Sequence, residues 1–150
     1  MNKPIQLLAL ALTTATPALA SDETDVMATV NQFVDGFNQG DLKTAAARAG
    51  QMSIIHEFSP HLWQGSGAFP KWIDDFDADA KKNDIADGFV TLNKPRHVDV
   101  TGDRAYVVAP AIYAFKQEGK AMKETGSIIT IALQKNTAGW RITAWAWAKN

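Results

Sequence analysis

The chain has 150 residues, 15 of them basic and 16 acidic, and no cysteine. A formal charge of −1 argues against a nucleic-acid footprint, which needs a clustered basic face. Without cysteine, neither disulfides nor a lipidated N-terminal cysteine can contribute, so the fold rests on its core. Five Trp and seven Phe supply one.

The N-terminus reads Met1-Asn2-Lys3, then an apolar run from Ile5 to Leu12, then Ala18-Leu19-Ala20. One positive charge, a short apolar centre and an A-x-A exit describe a secretion signal over residues 1–20, cleaved after Ala20. Leu7 to Ala11 are apolar all round, unlike a surface helix, and the run stops at Thr13-Thr14, short of the ~20 residues of a membrane span. The expected product is a periplasmic or secreted domain of residues 21–150, without a membrane anchor once cleaved. About 130 residues suit one domain.

Val26, Val30, Phe33 and Phe37 fall on one helical stripe that ends at Asn38-Gln39-Gly40. Asp41 caps a short second helix through Ala47, stopped at Gly50. A strand is expected from Met52 to Phe58, closed by Pro60, followed by a loop over His61-Leu62-Trp63-Gln64-Gly65. Phe69, Trp72, Ile73 and Phe76 form a third helical stripe, with Pro70 tolerated in its first turn and acidic residues on its outer face. From about Phe89 the pattern turns to strands: Val98 and Val100 alternate with polar residues, and Thr101-Gly102-Asp103 is a turn. Arg104–Lys116 is a long strand in which Pro110 marks a bulge or a free edge, and further strands cover Thr125–Gln134 and Trp140–Ala148. The predicted class is α+β: N-terminal helices on one face of a curved antiparallel sheet, burying both sets of stripes.

Phe37-Asn38-Gln39-Gly40-Asp41, Gly65-Ser66-Gly67-Ala68 before Trp72, Val100-Thr101-Gly102-Asp103-Arg104-Ala105-Tyr106 and Gly139-Trp140-Arg141-Ile142, in that order, resemble the nuclear transport factor 2-like superfamily, which includes SnoaL-like proteins and ketosteroid isomerase. The chain looks most like exported members without an assigned activity. The resemblance implies a cone-like cavity between sheet and helices, and often dimerisation through the sheet. It leaves function open, because the superfamily hosts isomerases, dehydratases, hydrolases and binding proteins.

The site residues therefore decide. The resemblance puts the isomerase's carboxylate base on or beside Glu57, but its oxyanion-hole tyrosine near Phe33 and its aspartic acid near Ile131. Neither side chain can donate a hydrogen bond, nor can Val30, Val34, Ile129 or Leu133, and losing even one such donor costs about 10²–10³ in rate. His56 and Glu57 remain the acid–base candidates. Adjacent strand residues face opposite ways, and His56 shares its face with Met52, Ile54 and Phe58, so His56 is the one expected to point inward. His61 and Trp63 belong to a loop that either meets a ligand at the cavity mouth or is simply tied down by Trp63. Tyr113, in step with Ala109, Ala111 and Phe115, either offers its hydroxyl to a ligand or fills core.

Trp145 and Trp147 share a strand face with Arg141 and Thr143, opposite Trp140, Ile142 and Ala144, which places Trp140 on the other side from the later two rings. Exposing Trp145 and Trp147 would be costly, which suggests a homodimer interface through the sheet, with Trp72 and Trp145 also candidates to line the cavity. His56, Glu57 and His61 do not follow a metal-ligand spacing, so no metal and no cofactor is expected. Rings without a convincing catalytic set favour a binding protein for a small apolar or aromatic molecule. The alternatives are an isomerase-, dehydratase- or hydrolase-type enzyme using Glu57 or His56, and a periplasmic protein–protein interaction module.

Overall fold

The computed structural model describes residues 17–150, with side chains from Asp22 onward; residues 1–16, most of the expected secretion signal, lie outside the described residues. Helix α1 (Pro17–Asn38) buries Val26, Val30, Phe33 and Val34 along the stripe the sequence marks. Gly40, at φ +67°, takes the left-handed conformation that lets the chain turn back after it. Asp41 then caps α2 (Leu42–Ala47), its Oδ1 accepting from the Thr44 N–H at 3.1 Å. Arg48, rather than Gly50, closes that helix, and Gly50 already belongs to strand β1 (Ala49–Ile55). The helices pack where Gly36 meets Ala45: a Cβ on Gly36 would sit 2.6 Å from the Ala45 nitrogen.

Two corrections concern the next stretch. Strand β1 ends at Ile55, before His56. The expected loop contains a strand, β2 (Leu62–Gly65), antiparallel to β1. Only Trp63 of its four residues is buried, so the segment lacks the repeated inward positions that mark a strand in sequence. The connecting turn is closed by the His56 N–H donating to the His61 carbonyl at 3.1 Å and the His61 N–H to the Phe58 carbonyl at 2.9 Å. Helix α3 (Ala68–Lys82) follows, burying Phe69, Trp72 and Ile73, with Pro70 in its first turn as expected.

Five more strands complete the sheet: β3 (Ile85–Leu92), β4 (His97–Thr101), β5 (Arg104–Gln117), β6 (Lys120–Asn136) and β7 (Gly139–Ala148). Two begin earlier than the sequence suggests, β3 before Phe89 and β6 before Thr125. The seven-stranded sheet is curved and unclosed, ordered β2-β1-β7-β6-β5-β3, with β4 pairing the other half of the free edge of β5. It is mixed rather than wholly antiparallel, because β1 pairs β7 in parallel. Pro110 lies where β5 changes partner from β4 to β3, between Val108 opposite His97 and Ala111 opposite Leu92. Its carbonyl accepts from the Asn93 N–H at 2.9 Å, and its missing N–H falls at the break between the two partner strands, where no ladder bond is lost.

The helices cover the concave face, which β5 lines with Ala105, Val107, Ala109 and Ala111 and β6 with Ser127, Ile129, Ile131 and Leu133. Burying a side chain such as Phe33 or Ile131 contributes about 1.5–3 kcal/mol each. Asn38 ties the end of α1 to the sheet: its Oδ1 accepts from the Val90 N–H and its Nδ2 donates to the Val90 carbonyl, both at 2.8 Å. The side chain thus serves β3 as one residue of an extra strand.

Two bulges reset which residues face inward. On β6, Ser127 opposes Ala111 but Glu124, three residues earlier, opposes Tyr113, two residues later. The extra residue lies at Thr125-Gly126, with Gly126 at φ +87°, and it turns Glu124 inward where strict alternation would turn it out. On β7, Leu133 pairs Ile142 while Ala132 pairs Ala144, leaving Thr143 as the extra residue. Trp140 and Ile142 before the bulge and Trp145 after it are all buried. The expectation that these rings lie on opposite faces is therefore corrected, because the bulge reverses the alternation between them.

Candidate functional site

Between α1, α3 and the concave sheet lies a cavity of about 140 Å³. A cavity of about 150 Å³ is enough to bind benzene in an engineered protein core. Its walls are rings: Phe33 and Phe37 from α1, Trp72 and Phe76 from α3, Phe58 from the turn after β1, Tyr113 and Phe115 from β5, Trp145 and Trp147 from β7. Some pack edge to face, as in Trp72–Trp145 at 4.9 Å and 90° and Phe37–Phe76 at 5.5 Å and 69° between centroids, and others stack, as in Trp72–Phe76 and Tyr113–Phe115.

His56 sits among these rings, with Phe58 at 4.8 Å, Trp145 at 5.8 Å, Trp72 at 6.0 Å and Trp147 stacked at 6.2 Å. Burial disfavours its cation and lowers its pKa to about 4, against the opposing pull of the Glu124 charge. It is consequently a neutral imidazole at pH 7. The inward orientation expected of His56 is found. The expectation that Glu57 must then face away is corrected: the chain leaves the strand after Ile55, so alternation no longer applies and both residues line the cavity.

Glu57 stands at the rim beside a residue that sequence reasoning missed. The Lys149 ammonium lies 3.4 Å from Glu57 Oε1 and 3.1 Å from Glu124 Oε2. Ser127 Oγ donates to Glu124 Oε1 at 2.8 Å, and Trp147 Nε1 donates to the same oxygen at 3.4 Å. Burial alone would raise the Glu124 carboxyl, but the hydrogen bonds from Ser127 and Lys149, with the Lys149 charge, hold it below the usual range. The Tyr113 hydroxyl is pushed up to about 12 by burial and by the Glu124 charge, so it stays protonated. The sequence signal for Glu124 was Gly126, an isolated glycine in a strand, which marks a bulge.

His61 and Trp63, by contrast, do not reach the cavity. His61 is exposed, at φ +73° in the turn, with its Nδ1 3.3 Å from the His56 carbonyl oxygen. Trp63 is 3% exposed and packs on Phe58 at 5.1 Å, its Nε1 donating to Asp75 Oδ2 at 2.8 Å. Of the two roles left open for this segment, the tie-down is what the geometry provides. Trp72, Tyr113 and Trp145 do line the cavity. Trp145 is 5% exposed and faces the helices, so it gives no reason for a dimer. Among the described residues, no group of three His, Asp or Glu side chains converges as a metal site requires.

A hollow about one ring in size thus lies beneath the helices, with polar groups gathered at its rim. The chain belongs to the SnoaL-like domain family, which matches residues 26–146. In three dimensions it is similar to a nuclear transport factor 2-like superfamily protein from Salmonella enterica serovar Typhimurium (TM-score 0.71, 14% identity, covering 88% of this chain and 93% of that one). It is also similar to a putative ketosteroid isomerase from Shewanella frigidimarina (0.65, 18%, 83% and 94%). The CaMKII hub of S. rosetta shares the fold as well (0.68, 20%, 85% and 95%). At such identities the likeness concerns the fold alone. No curated protein matches the chain in sequence.

Proposed function

We propose that this domain is exported and holds a small, mostly apolar or aromatic molecule in its cone. The observation that carries the reading is the cavity itself: about 140 Å³ left open among nine aromatic side chains, where Phe33 and Trp72 could have filled the space. Ala80, on the cavity-facing side of α3, provides the test. Ala80→Trp should fill the space and abolish binding of one-ring probes in calorimetry, with the circular dichroism of the fold retained. Equal probe binding by both forms would place the bound molecule elsewhere and end this reading.

Acid–base catalysis by His56 or Glu57 fits less well. An imidazole held at about 4 is a weak base at pH 7, and the Glu57 carboxylate is engaged by Lys149. Export rests on residues 1–20, and mass spectrometry of the secreted protein should find Ser21 at its N-terminus. For self-association, the convex sheet face is the candidate surface. It carries exposed Tyr106 and half-buried Val108, Ile112, Ile128 and Thr130, an apolar face suited to a second copy and equally to another exported protein.

A further inference from the structure

The rings around His56 carry a second kind of information. His56 Nδ1, Trp72 Nε1 and Trp145 Nε1 are buried and have no hydrogen-bond partner in the protein. Trp72 and Trp145 are only 4% and 5% exposed. The three rings meet at one corner of the cavity, with centroids 4.9 Å apart for Trp72–Trp145, 5.8 Å for His56–Trp145 and 6.0 Å for His56–Trp72. Native proteins leave few buried polar atoms unpaired, because each forfeits its hydration. Trp140 Nε1 is a fourth such atom, but it does not line the cavity, and Lys135 lies over its ring at 5.6 Å. Three in one corner is a concentration with chemical content.

An indole N–H only donates, whereas a neutral imidazole nitrogen donates or accepts according to its tautomer. The complement of this corner is therefore an oxygen with lone pairs, as in a carbonyl or a hydroxyl. An ammonium group would meet two donor-only indoles there and at most one imidazole acceptor. Anions are disfavoured too, since Glu57, Asp79 and Glu124 on the cavity lining outnumber the one cation, Lys149. Size sets the remaining limit, because the volume suits about one six-membered ring.

We propose that the cavity takes a neutral, single-ring compound bearing one oxygen, such as a phenol, cyclic alcohol or cyclic ketone, with that oxygen seated between His56, Trp72 and Trp145. The proposal rests on the ligand-holding reading above and names the chemistry of its ligand.

Isothermal titration calorimetry with phenol, cyclohexanone, toluene and benzoate tests it on the intact domain and on two variants, His56→Phe and Trp145→Phe. Phenol and cyclohexanone should bind the native protein at least about tenfold more tightly than toluene, and benzoate should bind more weakly than phenol. In both variants the ratio of phenol to toluene affinity should fall toward one. His56→Phe alone decides the matter if Trp145→Phe fails to fold. Toluene binding as tightly as phenol, or a preference that survives His56→Phe, overturns the oxygen-seating corner and leaves the ligand-holding reading intact. Benzoate matching phenol overturns neutrality. Silence from all four probes removes the ligand-holding reading and this proposal with it.

Discussion

The neutral histidine inside the ring cluster makes a measurable demand on stability. An unfolded His56 titrates near 6.5, and the folded one is lowered to about 4. The folded state therefore binds a proton less readily than the unfolded chain, and stability is lost as pH falls through that window. The contribution is fully present above pH 6.5, declines by about 2 kcal/mol at pH 5, and approaches a loss of about 3 kcal/mol below pH 4. Urea unfolding at pH 7.5 and at pH 5 reads it directly. With a slope of about 1–3 kcal/mol per molar, the midpoint should drop by about 1 M on this account. His56→Gln removes the titrating ring, so subtracting its pH dependence from that of the native protein cancels the carboxylates and the exposed histidines. Parallel curves for the two proteins would mean that His56 is hydrated when folded, and the dry ring cluster would have to be abandoned.

Other substitutions probe the supports of the cavity. Gly36→Ala should destabilise the domain by about 1–3 kcal/mol in chemical denaturation, since its Cβ would press on the α2 backbone at Ala45. An unchanged midpoint would show that α2 moves aside freely. Asn38→Ala strands the N–H and carbonyl of Val90, and a loss of about 1–3 kcal/mol is expected, with faster amide exchange along β3. Asn38→Asp should restore only the half of the bridge that accepts from Val90. Thr130→Arg places a charge in the middle of the convex face. If that face pairs two copies, sedimentation should show the native dimer replaced by monomer, and a native protein already monomeric at working concentration refutes the pairing.

Helix stripes were readable because their period is long and redundant: Val26, Val30, Phe33 and Phe37 agree with one another, and so do Phe69, Trp72 and Ile73. The cap at Asp41 and the turn at Gly102 were readable from single residues whose chemistry suits one conformation. Face assignment along the strands carried no such redundancy. One extra residue reverses everything beyond it, and that error put Trp145 and Trp147 on the wrong side and hid Glu124. Gly126 advertised its bulge; Thr143 did not, since a threonine in a strand is unremarkable by type. Lys149 joins the rim through tertiary closure alone, because the parallel β1–β7 pairing that sets it beside Glu57 joins segments far apart in the chain.

The bulge at Thr143 divides the last strand into two jobs. Trp140 and Ile142 close the core at one end of the cone, and Trp145 and Trp147 furnish the walls of its hollow at the other. Were strand β7 to run as a regular ladder through Thr143, strict alternation would turn both wall rings to the solvent side. The bulge at this one point, more than residue type, sets which rings reach the hollow.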